Sequence, residues 1–149
     1  MDIPEKTKQI DVDGRTFLLN KMDAQTGSLM LLKLLKILKP LFKNINTKTL
    51  DINLEDLNLE DLIDGLTDLP EKDFKYIQQN ALKVVQEILP GGKPFILNQY
   101  GEFEALNISD NVGLTMNLTI QSLFFNLKNF FPESLLKSLT AKLNISQQN

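Results

Sequence analysis

Apolar and polar positions alternate on both sides of one glycine-containing pair near the start of the chain. Ile10 and Val12 precede Asp13-Gly14, and the apolar residues after the pair keep the same two-residue spacing. Alternation of this kind is typical of strands with one buried face. An Asp-Gly pair supplies the positive φ angles that a two-residue hairpin turn requires. The pattern therefore predicts a β-hairpin over residues 9–20.

The most apolar stretch of the chain, residues 21–45, predicts the first helix. It is rich in Leu, Met and Lys, which favour helices, and Asp23 is placed to cap its start. Its lysines recur every three or four positions and so form one stripe. They are Lys33, Lys36, Lys39 and Lys43. We interpret the stretch as a core helix with one solvated lysine face, which Pro40 kinks or ends; a partner-binding face and a membrane-surface helix are the alternatives.

An acidic connector, residues 46–69, follows this helix. The pentapeptide NLEDL stands at 53–57 and again at 58–62, and the stretch 51–68 carries seven acidic residues with no Lys or Arg. A five-residue repeat does not match a helical repeat unit, so no solenoid is predicted. The start of the stretch resembles a calcium loop, but the required Gly and final Glu are missing. We expect a short helix near 54–66 or a mobile connector.

Residues 70–89 show the clearest amphipathic helix pattern, with apolar residues every three or four positions. Pro70 suits the first turn of a helix, and Pro90-Gly91-Gly92 is a strong stop signal. The next stretch, 93–108, has two short β-prone runs around a turn at 98–101. It therefore predicts a second hairpin.

Helical patterns return in the last third of the chain. Ser109 or Asp110 is placed to cap a long helix over 110–131, and a proline then opens a final short helix over 133–143. Taken in order, the elements predict an α+β fold that is mostly helical. We expect two short β-hairpins and about four to five helices in one compact domain over 1–149.

Four phenylalanines lie within eight positions in the long helix and at its end. They are Phe124, Phe125, Phe130 and Phe131. At about 100° per residue, Phe124 and Phe131 share one side of the helix, whereas Phe125 lies further round. One helix cannot direct all four rings at one neighbour, so at least one ring should be exposed, lie at a helix end or face a partner. Core packing and an exposed recognition patch both remain open.

Composition narrows the chemistry that the chain can perform. The 149 residues include no Cys and no His, which excludes thiol nucleophiles, disulfides and imidazole metal sites. A net charge of −3 with Arg15 as the sole arginine argues against nucleic-acid binding. No apolar stretch is long and uncharged enough to span a bilayer. We therefore expect a non-catalytic cytoplasmic protein with no metal, no nucleic acid and no membrane partner.

The order of these patterns resembles a known family. An apolar helix (MDAQTGSLMLLKLLKILKP, 22–40) follows a short hairpin, and a hairpin stretch (ILNQYGEFEAL, 96–106) follows the acidic middle. A long helix then ends in FFNLKNFFPES (124–134). This arrangement is similar to the tail assembly chaperones of long-tailed phages and prophages of low-GC Gram-positive bacteria. The strongest matching piece is 126–131, whereas the doubled NLEDL has no counterpart.

The resemblance implies a holding chaperone that works in the host cytoplasm and has no cofactor. Such a protein binds the tape measure protein, recruits the tail tube protein and leaves before the mature virion is complete; self-association is left open. An apolar groove with polar rims is the usual way to hold an amphipathic helix. On this basis the expected partner-binding residues are Phe124, Phe125, Phe130, Phe131, Asn126, Lys33 and Lys36. The alternatives are a small structural tail or connector subunit retained in the virion, and a membrane-surface amphipathic-helix protein.

Overall fold

The structure is a computed structural model that describes residues 6–42 and 59–130. Its elements in chain order are β1 (Thr7–Val12), β2 (Arg15–Asn20), α1 (Ala24–Phe42), α2 (Leu59–Thr67), α3 (Glu71–Lys83), β3 (Val85–Glu87) and α4 (Val112–Phe130). The α+β fold predicted from the sequence is confirmed, with four helices and one antiparallel sheet in this part of the chain. The final helix predicted over 133–143 and most of the acidic connector lie outside the described residues.

The first hairpin forms as its alternating pattern predicts. β1 and β2 pair antiparallel, with Val12 opposite Arg15 across the turn. Asp13 and Gly14 have φ angles of 53° and 76°, which are the left-handed values that let a two-residue turn follow the twist of its strands. On β2 the alternate residues Phe17 and Leu19 are fully buried.

The third strand corrects the prediction of a helix over 70–89. Helix α3 ends at Lys83, and β3 then pairs antiparallel with β2, placing Val85 opposite Leu19. Val85 is β-branched and fully buried, so it fits a pleated surface as well as it fits the apolar stripe of a helix. The open edge of β2 favours the strand over the helix, because pairing with β3 satisfies the backbone N–H and C=O groups along that edge.

The second predicted hairpin is also corrected, since the sheet has three strands and not two separate hairpins. The turn at 98–101 does form, because the Asn98 amide donates to the Glu102 carbonyl at 2.8 Å. The segment before it lies beside β3, where the Ile96 amide donates to the Val85 carbonyl at 3.0 Å. These residues therefore extend the sheet through isolated bridges.

The helix starts show one confirmed cap and one corrected cap. The Asp23 carboxylate accepts a hydrogen bond from the Thr26 amide at 3.0 Å, as predicted for the start of α1. Helix α1 continues past Pro40 to Phe42, so the proline does not end it. For α4, Asn111 and not Ser109 or Asp110 is the cap, and its side chain accepts the Leu114 amide at 3.0 Å.

Helix α4 lies between two apolar clusters. One cluster is helical and includes Met30, Leu34, Leu66, Ile77, Leu123 and Leu127. The other lies against the sheet and includes Phe17, Leu19, Val85, Ile96, Leu118 and Phe125. Because α4 supplies residues to both clusters, its apolar positions cover more than one face. This explains why its sequence lacks a single apolar stripe.

The Asp23 cap predicts a pH dependence of stability. The side chain and backbone amide of Thr26 hold the pKa of the Asp23 carboxyl below its usual value of 3.8. A carboxyl whose pKa is depressed by folding stabilises the protein above its unfolded pKa, and this contribution is lost as pH falls through the folded pKa. Asp23→Asn keeps a capping oxygen but removes the titration. In thermal unfolding between pH 7 and pH 3, the wild type should lose more stability than Asp23→Asn.

The Glu71–Lys75 pair lies one turn apart on α3 and also lowers the pKa of a carboxyl. It is present in both proteins, so its titration cancels in the comparison. Parallel melting curves for the two proteins across the whole pH range would show that ionisation of Asp23 does not contribute to stability.

Candidate partner-binding surfaces

The phenylalanines of α4 divide between its two sides. Phe125 is 5% exposed and packs in the sheet-side cluster. Phe124 is half-buried against the helical cluster, and the Lys128 ammonium lies 4.8 Å from its ring centroid. The side chain of Phe130, and all of Phe131, lie outside the described part of the chain. Of the predicted aromatic patch, Phe124 is therefore the ring that is described and partly accessible.

Asn126 is buried among apolar side chains and fully hydrogen-bonded. Its side-chain oxygen accepts the Met22 amide at 2.8 Å, and its nitrogen donates to the carbonyls of Ser122 at 3.0 Å and Asn20 at 3.2 Å. Buried amides are kept only where such partners exist. Through these bonds Asn126 joins α4 to the end of β2, and its predicted role in partner binding stays a prediction.

Lys33 is engaged between helices. Its ammonium lies 2.9 Å from an Asp73 carboxylate oxygen and 5.1 Å from the centre of the Tyr76 ring. Both partners belong to α3, so Lys33 helps to fix α1 against it, and the predicted solvated lysine face is wrong at this position. The side chain of Lys36 lies outside the described residues, so its predicted role stays a prediction.

Large apolar side chains stay exposed on α1 and on α2, two helices that pack against each other. We call Leu29, Leu32 and Ile63 the α1–α2 apolar surface; they are 44%, 63% and 40% exposed. Leu29 and Leu32 are three residues apart and so share one side of α1. The inner side of the same helix is buried in the helical cluster. The two exposed leucines therefore lie on the side of α1 that does not pack in the helical cluster.

Acidic side chains flank this surface on α2. Glu60 and Asp64 are exposed on either side of Ile63 in the helix, and Asp68 is exposed just after its end. Among the described residues none of the three has a basic partner within ion-pair distance. An apolar centre with unpaired charges beside it is the composition expected of a protein-contact surface.

A shallow groove lies where the sheet is extended beyond β3. Arg15 lines it and donates two hydrogen bonds to the Glu87 carboxylate, at 2.7 and 2.8 Å, and one to the Leu106 carbonyl at 2.9 Å. The bond to Glu87 raises the pKa of the guanidinium, which therefore stays charged. The groove has a volume of about 440 Å³ and its walls include Phe95 and Leu106. The groove could not be predicted from the sequence, because Arg15 lies far along the chain from the other lining residues.

Two kinds of functional feature, a metal site and a membrane-spanning helix, are not found in the described part of the chain. No cluster of three or more acidic side chains in this part of the chain is placed to hold a metal ion. None of the helices within the described ranges is long and apolar enough to cross a membrane.

The family model for phage tail assembly chaperone protein, TAC, matches residues 13–139. The match spans most of the 149 residues, and the chain belongs to this family. The resemblance inferred from the sequence is thus confirmed. Membership supports a tail assembly chaperone role and implies a non-catalytic one. No curated protein and no solved structure shows significant similarity to the chain.

The placement of Asn126 predicts that its loss affects folding before binding. In Asn126→Leu the Met22 amide loses its acceptor inside the core, and a buried donor without a partner costs about 1–3 kcal/mol. We expect the free energy of unfolding, measured in urea, to fall by about 2–3 kcal/mol. Asn117→Leu is the matched control, because Asn117 is exposed on the same helix. An Asn126→Leu protein with unchanged stability but impaired partner capture would return this residue to the binding site.

Proposed function

We propose that the chain binds the tape measure protein during tail assembly and keeps its long helical segments soluble. It acts without catalysis in the host cytoplasm, engages the tail tube protein as a second partner and leaves before the virion is complete. The family match supports the assembly role. The single structural observation that carries the proposal is the pair of exposed leucines on α1, Leu29 and Leu32.

Neighbouring exposed leucines on one side of a core helix form a candidate contact patch. Leu32 keeps 63% of its surface exposed, and burying a leucine fully is worth about 1.5–3 kcal/mol. Two such side chains one turn apart match the three-to-four spacing of an amphipathic partner helix. Lys36 follows Leu32 by four positions and is proposed to contribute a polar rim on the same side of α1.

The phenylalanine hypothesis is retained in a narrower form. Phe125 packs in the core, so it supports the position of α4 and not a contact surface. Phe124 is half-buried and is proposed to extend the binding surface, together with Phe130 and Phe131.

The test replaces one exposed leucine by a charged residue. Leu32→Glu places a carboxylate where the partner's apolar side would lie, while 63% exposure means that folding should change by less than about 0.5 kcal/mol. We expect capture of co-expressed tape measure protein by the tagged chain to fall at least tenfold. The readouts are a pull-down quantified by mass spectrometry and the fraction of tape measure protein that stays soluble.

The matched control is Val112→Glu. Val112 is 77% exposed at the start of α4, so the variant carries the same charge change away from the α1–α2 apolar surface. Equal capture by wild type, Leu32→Glu and Val112→Glu would rule out this surface as the tape measure site. Loss of capture in both variants would point to charge alone.

A further inference from the structure

The groove that Arg15 helps to line is called the Arg15 groove, and it is not part of the proposed tape measure site. Three apolar side chains around it stay in contact with solvent: Leu89 is 45% exposed, Phe95 is 48% exposed and Leu106 is 80% exposed. They come from two chain segments that the sheet and Arg15 bring together. An aromatic ring among aliphatic side chains in a concave site is the usual anchor of a protein contact.

The backbone of one wall of the groove is tethered within the chain itself. Arg15 donates two hydrogen bonds to the Glu87 carboxylate and one to the Leu106 carbonyl. Asn107, which follows, has a φ of 60°, a left-handed value that asparagine tolerates better than most residues. The exposed Leu106 side chain is thus presented by a tethered turn. A fixed wall lowers the entropy lost on binding.

The ionisable side chains that line the groove carry one more negative charge than positive charge. The Arg15 guanidinium and the Glu87 carboxylate neutralise each other at 2.7 Å. Glu104 also lines the groove and is exposed, and its carboxylate has no ion-pair partner among the described residues. One negative charge therefore remains beside the apolar walls. The ligand that complements this arrangement has an apolar side chain next to a cationic one.

The size of the groove favours an extended ligand. A helix is about 10–12 Å across, so a groove of about 440 Å³ would admit roughly a single helical turn. An extended segment places alternate side chains on one side and can fill the same space with its side chains alone. The neighbouring segment of this chain, Pro94–Ile96, is itself extended beside β3.

We propose that the Arg15 groove binds an extended segment of a partner protein in which an apolar residue lies beside Lys or Arg. The apolar side chain packs between Phe95 and Leu106, and the cationic group faces Glu104. This site is separate from the α1–α2 apolar surface. It can therefore fail while the tape measure proposal stands, and the reverse also holds.

The test uses two fluorescein-labelled peptides, Gly-Lys-Leu-Lys-Gly and Gly-Glu-Leu-Glu-Gly, titrated with the full chain and followed by fluorescence anisotropy. We expect the lysine peptide to bind at least fivefold more tightly than the glutamate peptide at low salt. Glu104→Gln should reduce this preference by about threefold, the scale of an exposed ion pair. Phe95→Ser should weaken the lysine peptide at least tenfold.

The matched control is Tyr100→Ser, because Tyr100 is 73% exposed and does not line the groove. Thermal unfolding of each variant checks that the fold is kept, and Leu106→Asp provides a second groove variant if Phe95→Ser unfolds. Three outcomes overturn the proposal: no binding of either peptide at about 1 mM, equal affinity for both, or binding that Phe95→Ser and Leu106→Asp leave unchanged.

Discussion

The buried hydrogen bonds along one side of α4 hold the other elements in place. Ser122 donates to the Ala81 carbonyl of α3 at 2.7 Å, and Asn126 holds the Met22 amide and the Asn20 carbonyl. Asn20 in turn donates to the Val84 carbonyl, where α3 gives way to β3. One row of side chains thus ties helix, hairpin and strand together. Apolar packing alone is less directional, so these bonds fix how the two clusters meet.

Much of the fold could be predicted from local signals, and the failures are also physical. The Asp13-Gly14 turn and the Asp23 cap act within a few residues, so the sequence identifies them. β3 could not be predicted in this way, because Val85 satisfies a helical stripe and a strand equally well. Its fate depends on the edge of β2, which lies far away in the chain. The same dependence on distant partners turned the second predicted hairpin into an extension of the sheet.

The candidate binding residues also divide into those that local spacing predicts and those that depend on partners distant in the chain. The spacing of Phe124 and Phe125 correctly predicts that they face different ways, yet it does not say which side is solvent. Lys33 belongs to a regular lysine stripe, and only the packing of α3 against α1 shows that Asp73 and Tyr76 engage it. A lone amide among apolar positions, as at Asn126, is a usable signal of a buried polar anchor. The Arg15 groove leaves no such trace in the sequence.

The distribution of charge connects the fold to its proposed role. The two most buried ion pairs in the described chain, Arg15–Glu87 and Lys33–Asp73, each join separate elements. Each of these charges is engaged by its ion-pair partner. Beside the two exposed surfaces, the described charged side chains that lack an ion-pair partner are acidic: Glu60, Asp64, Asp68 and Glu104. If the protein holds partners and later releases them, as we propose, small apolar patches suit it. A contact that buries only a few exposed side chains is weak enough to break, as release requires.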